Sequence, residues 1–277
     1  MTKIFDGKKF AQKKREQLSK KVAELKKNGI TPKLETIVDE ATPAGMLYTK
    51  IKQKAASEIG VVVDIYPIAR QKRDKQTIIA GLIRSINLDP SVHGIMVQLP
   101  LSTTVKRYTR SILSVLDPKK DVDGHLENSS YLPATVSAVL EILELARHEV
   151  KLPKNNSDIK VVVLGSKGVV GKSLTKKLYE MDFDIKGIDK TDKKRKVTFY
   201  DADVVISATG KENLVTEDKV KDGVVVIDVG SPKGDVDFRK VSKKASFITP
   251  VPGGVGPVTI ACLLENLVKA AEANGEK

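Results

Sequence analysis

The stretch Val161-Val162-Val163-Leu164-Gly165-Ser166-Lys167-Gly168-Val169-Val170-Gly171-Lys172-Ser173 runs from an apolar strand through a glycine loop into the start of a helix. In an open α/β sheet such a junction holds a pyrophosphate on the backbone N–H groups of the helix N-terminus. The G-x-x-G-x-x-G spacing departs from the common dinucleotide pattern, so taken alone it also fits a plain strand-to-helix turn. Its surroundings supply the βαβ context that gives such a loop meaning. Further strands are predicted at Ile185–Ile188, Val204–Ser207 and Val224–Val229. Asp189, twenty-four residues beyond Gly165, ends the first of them. An acidic residue there accepts hydrogen bonds from an adenosine ribose and repels a 2′-phosphate. Lys190 follows at once and has the opposite tendency, and an exposed turn aspartate is the plain alternative.

Upstream, helical and extended signals alternate. Asp6 caps a charged helix through about Lys27, which Gly29 ends. Leu34–Val38 reads as a strand, and Thr42-Pro43 as an N-cap with proline at the first helical position, opening a helix to about Glu58. Val61–Tyr66 is a strand, Lys75–Ile86 a helix, Gly94–Gln98 a buried strand, and Lys106–Leu116 and Val136–Arg147 helices. Strands separated by helices predict parallel βαβ units. The polar run Pro153–Asp158 reads as a linker to the second βαβ series, and an apolar helix from about Val258 to Glu272 closes the pattern.

The 277 residues suffice for two domains. No apolar run approaches the roughly 20 residues of a membrane span, and the opening residues lack the apolar segment of a signal peptide. The single cysteine, Cys262, lies in an apolar helix and cannot form an intramolecular disulfide, which suits a reducing cytoplasm. A net charge of +13 raises the question of nucleic acid. However, the basic residues are spread along the chain, aromatics are 4%, and no basic stripe alternates with stacking residues, so neither nucleic acid nor membrane is an expected partner. The positive field instead suits an anionic ligand.

Three further segments carry chemistry. Thr249-Pro250-Val251-Pro252-Gly253-Gly254-Val255-Gly256-Pro257-Val258-Thr259 is a rigid loop of small residues before a helix, suited to pressing its backbone on a flat ligand or to a tight connection. Tyr48 and Lys52, four apart, share one helix face. Gln98 puts an amide at the C-terminal end of an apolar strand, before Leu99-Pro100-Leu101, where α/β sheets place ligands. Lys120-Asp121-Val122-Asp123-Gly124 holds two carboxylates, but no further acidic or histidine cluster completes a metal site, so no metal is expected.

Taken in order, these segments resemble the bifunctional methylenetetrahydrofolate dehydrogenase/methenyltetrahydrofolate cyclohydrolase family over nearly the whole chain. The Gln98 segment and the 248–257 loop are the most specific matches, joined by Tyr48–Ala55, Lys120–Gly124, the Gly165 loop and Val226–Gly230. Departures are Gly45 in place of Ser, Ala134-Thr135-Val136 in place of Cys-Thr-Pro, Ser166-Lys167 in place of Arg-Ser, and Ile188-Asp189-Lys190-Thr191 in place of His-Ser-Arg-Thr.

The resemblance implies an α/β protein of two α/β domains, the second a Rossmann-like dinucleotide-binding domain, with the C-terminal helix returning to the first. Residues 1–134 with 258–277 would form the folate-binding catalytic domain, and 135–257 the NAD(P)-binding domain. It implies an oxidoreductase and hydrolase of one-carbon metabolism. Methylenetetrahydrofolate would lose hydride to the cofactor, and water would open the methenyl cation to 10-formyltetrahydrofolate. Lys52, Gln98, Tyr48 and Asp123 would be catalytic, Lys52 managing the proton, Gln98 holding it, and Asp123 accepting from the pterin. Tyr48, Gln98, Leu99, Pro100, Asp123, Pro252, Gly253 and Gly254 would bind substrate. Gly165, Ser166, Lys167, Val170, Asp189, Lys190, Thr209 and Thr259 would bind the cofactor, NADP by family habit or NAD by the carboxylate of Asp189. A cytoplasmic homodimer is implied. Two other classes are separable by experiment. A catalytically silent paralogue would bind folate without turnover, and a nucleic-acid binder would show salt-dependent retention on DNA.

Overall fold

The computed structural model describes residues 2–189 and 199–275. The chain divides into two compact units, one of Met1–Ala11 with Thr135–Thr259, the other of Gln12–Ala134 with Ile260–Lys277.

In chain order the strands are β1 Lys3–Ile4, β2 Lys33–Asp39, β3 Val62–Ile68, β4 Gly94–Val97, β5 Lys160–Leu164, β6 Asp184–Ile188, β7 Val204–Ser207, β8 Val225–Asp228 and β9 Phe247–Ile248. The helices are α1 Gly7–Lys27, α2 Pro43–Glu58, α3 Lys75–Leu88, α4 Thr109–Leu113, α5 Ala134–Val150, α6 Val169–Glu180, α7 Phe238–Val241 and α8 Val255–Gly275.

The unit holding the glycine loop is built on a six-stranded sheet of order β1-β9-β8-β7-β5-β6, parallel at every pairing. Its central strands are unbroken runs of valine and isoleucine because both faces are covered. A core of Val162, Leu164, Val205, Val226 and Ile248 fills one face. The strand order reverses between β5 and β7, so the C-terminal ends of these strands form the crevice in which such sheets take ligands. Strand β1 departs from the sequence reading, which assigns residues 1–134 to the other domain. It pairs with β9 through Lys3↔Phe247 and Ile4↔Ile248, and Met1–Ala11 groups with this sheet. Two residues of strand carry too little periodicity to be read, and β9 and α7 escape the pattern for the same reason.

The other unit carries a three-stranded parallel sheet of order β3-β2-β4. Ile37, Ile79, Ile83, Ile95, Val97 and Ile112 form its core on one side. Helix α2 runs between the bounds read from Thr42-Pro43, but Thr42 does not cap it through its side chain. The Thr42 hydroxyl instead donates to the Asp39 carbonyl at 2.6 Å, closing the turn that leaves β2. The helix expected at Lys106–Leu116 is a 3-10 turn, Lys106–Tyr108, followed by the short α4. Among the described residues no helix is long and apolar enough to cross a membrane.

Candidate active site

Lys52 and Tyr48 lie one turn apart on α2, and Lys52 points to the end of β4. Its ammonium donates to Gln98 Oε1 at 3.0 Å and to the Met96 thioether at 3.2 Å. Gln98 is buried just past the strand and is fixed at both ends. Its backbone N–H donates to Ile37 O at 2.8 Å, and its side-chain amide to Leu99 O at 2.7 Å. That second bond settles which amide atom faces the lysine. Burial pushes the Lys52 ammonium below the ordinary lysine range, and the Asp123 carboxylate opposes that only in part. Desolvation disfavours the charged form, and one amide oxygen and one weakly accepting sulfur replace little of the lost water.

Asp123 sits in the loop between α4 and α5. Gly124, at φ +68°, shapes it, since a Cβ there would lie 2.5 Å from Pro133 N. Asp121 is fully buried and accepts the backbone N–H groups of His125 and Leu126 at 3.1 and 2.8 Å. It is a structural clasp, which leaves Asp123 as the carboxylate of this motif available to chemistry. Burial pushes the Asp123 carboxyl up, but His125 and Lys52 outweigh it and hold it below its ordinary range. His125 Nε2 stands 3.3 Å from Asp123 Oδ2, an ion pair when the ring is protonated.

Asp39, which ends β2 and is fully buried, joins the flanking loops. Lys75 pairs with it at 2.6 Å, while Ala41 N and Ser102 N donate to its two oxygens. One carboxylate thus ties the approach to α2 to the segment just beyond Gln98. Gly45, on the first turn of α2, has a local reason to lack a side chain, because a Cβ would meet Thr42 Oγ1 at 2.7 Å.

In the other unit the glycine loop is drawn tight. Gly165 has φ +80°, and a Cβ on it would lie 2.6 Å from Ala208 O. A Cβ on Gly171 would fall 2.1 Å from Gly165 O, so helix and loop are in backbone contact. Gly168 caps α6 without a side-chain hydrogen bond. Val169 is exposed and Val170 half-buried at the opening of α6, where the helix presents its N-terminal amides. Ser166 packs over Gly187, where a Cβ would sit 2.9 Å from the serine side chain. Asp189 Oδ2 accepts the Lys167 backbone N–H at 3.3 Å, which holds this carboxylate beside the loop. Lys190 lies outside the described residues.

At the ends of β7 and β8 two buried carboxylates order the neighbouring loops. Asp235 Oδ2 accepts from Ser207 Oγ, Thr209 N and Thr209 Oγ1 at 2.7–2.8 Å. Asp228 accepts the amides of Gly230, Asp235 and Val236, and burial together with Asp235 raises its carboxyl. The Thr209 hydroxyl is thus turned inward and also accepts Lys211 N at 3.1 Å. Pro252, Gly253 and Gly254 form a turn with Gly253 at φ +103°. The Thr249 hydroxyl moors that turn by accepting Asp228 N at 2.7 Å. Thr259 donates to Val255 O within α8.

Residues 5–123 match the model of the tetrahydrofolate dehydrogenase/cyclohydrolase catalytic domain, and residues 133–275 that of its NAD(P)-binding domain. The chain belongs to the tetrahydrofolate dehydrogenase/cyclohydrolase family. It is 41% identical to a bifunctional protein FolD of Nautilia profundicola, over 97% of each chain. A crystal structure of the bifunctional FolD enzyme from Campylobacter jejuni matches at TM-score 0.88 and 36% identity, over 99% of each chain. The Trypanosoma brucei enzyme, complexed with NADP and an inhibitor, matches at TM-score 0.86 and 29% identity, over 98% of each chain. The family fold is the one read from the sequence, two α/β domains with the NAD(P)-binding one in the C-terminal part.

Within this family member, Tyr48, Lys52, Gln98 and Asp123 come from one unit, and Gly165, Asp189, Thr209 and Pro252–Gly254 from the other. Four contributors escape the sequence reading: Asp39, Met96, His125 and Asp235. An acid closing an apolar strand marks Asp39. The remaining three have only their neighbours to reveal them.

Proposed function

We infer that this chain oxidises 5,10-methylenetetrahydrofolate with NAD(P) and hydrolyses the methenyl product to 10-formyltetrahydrofolate. The observation that carries the reading is the desolvated Lys52 amine on Gln98, with Asp123 in electrostatic reach. The unit of Gln12–Ala134 would bind the folate, and the unit of the Gly165 loop the cofactor. The loop fits a dinucleotide, because its glycines draw strand, loop and helix into backbone contact and α6 opens without a side-chain cap.

NAD(P), when bound, supplies the acceptor for the hydride leaving the substrate's methylene carbon. The chain's own residues then manage the hydrolytic step. Asp123 holds the pterin through charge-assisted hydrogen bonds. Gln98 keeps the Lys52 nitrogen at the end of β4. In its neutral form Lys52 takes a proton from water adding to the methenyl carbon. The carbon–N5 bond breaks, and N5 receives a proton as the formyl group remains on N10. A cationic substrate further disfavours the ammonium and favours the base form. Tyr48 lines the folate face of α2, with Leu99 and Pro100 beside Gln98, and Pro252, Gly253 and Gly254 offer backbone to the ligand.

For the cofactor, Asp189 favours NAD. A carboxylate held at the Lys167 amide sits where ribose hydroxyls would bind and repels a 2′-phosphate, whereas lysine carries its charge on a solvated, flexible stem. Gly165, Ser166, Lys167 and Val170 would face the dinucleotide, with Lys190, Thr209 and Thr259 completing the set. The enzyme would work in the cytoplasm as a homodimer, and the single, buried Cys262 accords with a reducing compartment.

The test follows methylenetetrahydrofolate oxidation with NAD and NADP in parallel, then methenyl hydrolysis, in wild type and Asp189→Ser. Turnover in both reactions, and a kcat/KM ratio moving towards NADP on substitution, are expected. Folate binding without turnover would overturn the function. A strong NADP preference unmoved by the substitution would overturn the role of Asp189.

A further inference from the structure

Gly7 opens the long helix α1, where a glycine brings the helix only its cost in backbone entropy. Capping does not require it, because Asp6 is the cap. The Asp6 carboxylate accepts Lys9 N at 2.9 Å and its carbonyl accepts Phe10 N at 3.1 Å. What requires it is the turn before α8. A Cβ on Gly7 would lie 2.0 Å from Gly254 O and 2.6 Å from Gly253 O, so the start of α1 lies directly against both carbonyls. Gly7 is buried, and both segments belong to the unit of Met1–Ala11 with Thr135–Thr259. The residues leading to Gly7 are anchored where the turn begins. Lys3 N donates to Ser246 O at 2.8 Å and Phe5 N to Ile248 O at 2.9 Å, on either side of β9. The buried Phe5 ring packs on Phe247 and Phe10, with centroids 5.8 and 5.7 Å away. Thr249 follows β9 at once and is moored to Asp228, so the turn is held at its start by Asp228 and at its end by Gly7. Gly254 has no slack within the turn either, since a Cβ there would meet Pro250 O at 2.5 Å.

We propose that Gly7 is a positioning residue for the folate reaction, fixing where the Pro252–Gly254 turn stands against the substrate, with β1 and Phe5 as its anchor. This inference rests on the reading of that turn as a substrate contact. A Cβ does not come within 3.0 Å of a carbonyl oxygen, so opening the 2.0 Å contact takes a movement of about 1 Å. The start of α1 is locked by Asp6 and by the Phe5 packing, whereas residues 251–254 lie outside any strand or helix. The turn is therefore the part that yields.

The test is Gly7→Ala in the full chain. The kcat/KM for methylenetetrahydrofolate should fall by roughly 10- to 100-fold, mostly through KM, the scale that a misplacement of about 1 Å produces. The Kd of the dinucleotide, measured by calorimetry, should stay unchanged, and the NMR signals of the Gly253 and Gly254 amides should be displaced. A merely structural role would reduce the amount of active enzyme, and so lower kcat while leaving KM in place, which overturns the proposal. Unmoved glycine signals with unchanged kinetics overturn it as well. Displaced signals with an unchanged KM would uphold the mechanical link and overturn the reading of the turn as a substrate contact. Should Gly7→Ala fail to fold, Phe5→Leu loosens the anchor without adding an atom beside the turn. A raised folate KM at an unchanged dinucleotide Kd then supports the proposal, and an unchanged folate KM overturns it.

Discussion

Replacing Lys52 by methionine keeps the length of the side chain and removes the amine. The ammonium has three donors, of which one meets Gln98 Oε1 at 3.0 Å and one the Met96 sulfur at 3.2 Å. A positioned acid or base contributes roughly 10²–10⁴ in rate, so hydrolysis should fall by that factor, equivalent to about 3–5 kcal/mol of transition-state stabilisation. Oxidation by NAD(P), which needs no such base, should fall far less. Stability gives an independent readout. The folded-state pKa of Lys52 is depressed by burial, so its charged form opposes folding below the unfolded lysine pKa, and the penalty disappears as pH rises towards it. Methionine removes that penalty but strands the Gln98 oxygen, a loss of about 1–3 kcal/mol. The variant's stability relative to wild type should therefore be highest near neutrality and fall as pH rises towards about 10.4. The assays are the absorbance decay of methenyltetrahydrofolate above its uncatalysed background and thermal melts at several pH values. Hydrolysis at the wild-type rate would refute the reasoning, as would a relative stability that does not fall with rising pH.

Three other substitutions test the supporting structure. Asp123→Asn should weaken folate binding by about 1.5–3 kcal/mol for each charge-assisted bond it loses and leave the cofactor affinity unchanged, as measured by calorimetry. Asp39→Asn leaves Lys75 charged and buried without its partner, at a cost of about 3–5 kcal/mol in chemical denaturation, and adding Lys75→Met should recover much of it. Met96→Leu conserves volume but removes a weak acceptor from the Lys52 ammonium. The alkaline rise of hydrolysis should move to lower pH by at most about one unit.

Much of this molecule is legible before it folds. The bounds of α2 follow from Thr42-Pro43, and β5, β7 and β8 stand out as runs that only a sheet covered on both faces requires. What escapes is short or depends on distant partners. Strand β1 exists because Lys3 and Ile4 meet Phe247 and Ile248, some 244 positions away in the sequence. The sequence also places Asp121 and Asp123 on equal terms, two residues apart. Folding separates them, because Asp121 is consumed by the amides of His125 and Leu126 while Asp123 meets the His125 ring at 3.3 Å. Met96 reads as one more apolar residue of a buried strand, and only the arrival of α2 makes its sulfur an acceptor.

Four of the buried polar groups share a location that core packing does not explain. Asp39 ends β2, Gln98 follows β4, Ser207 ends β7 and Asp228 ends β8, each at the C-terminal end of a parallel strand. Burying such groups is unfavourable unless their hydrogen bonds are met, and an apolar residue would stabilise the same position more simply. Here the partners are backbone amides of the loops that leave these strands: Ala41 and Ser102 on Asp39, Gly230 and Val236 on Asp228, and Thr209 on Asp235. The side chains therefore fix irregular backbone that has no ladder of its own. In an open α/β sheet this is the edge where ligands bind. It is also where a chain must hold loops still without filling the space above them, and a carboxylate beneath a loop meets both requirements. Lys52 stands apart from this set, since its ammonium is held by one amide oxygen and one sulfur and its pKa is depressed by burial. A group left so poorly compensated within a well-compensated scaffold is the one whose proton is easiest to move, which is the property hydrolysis demands.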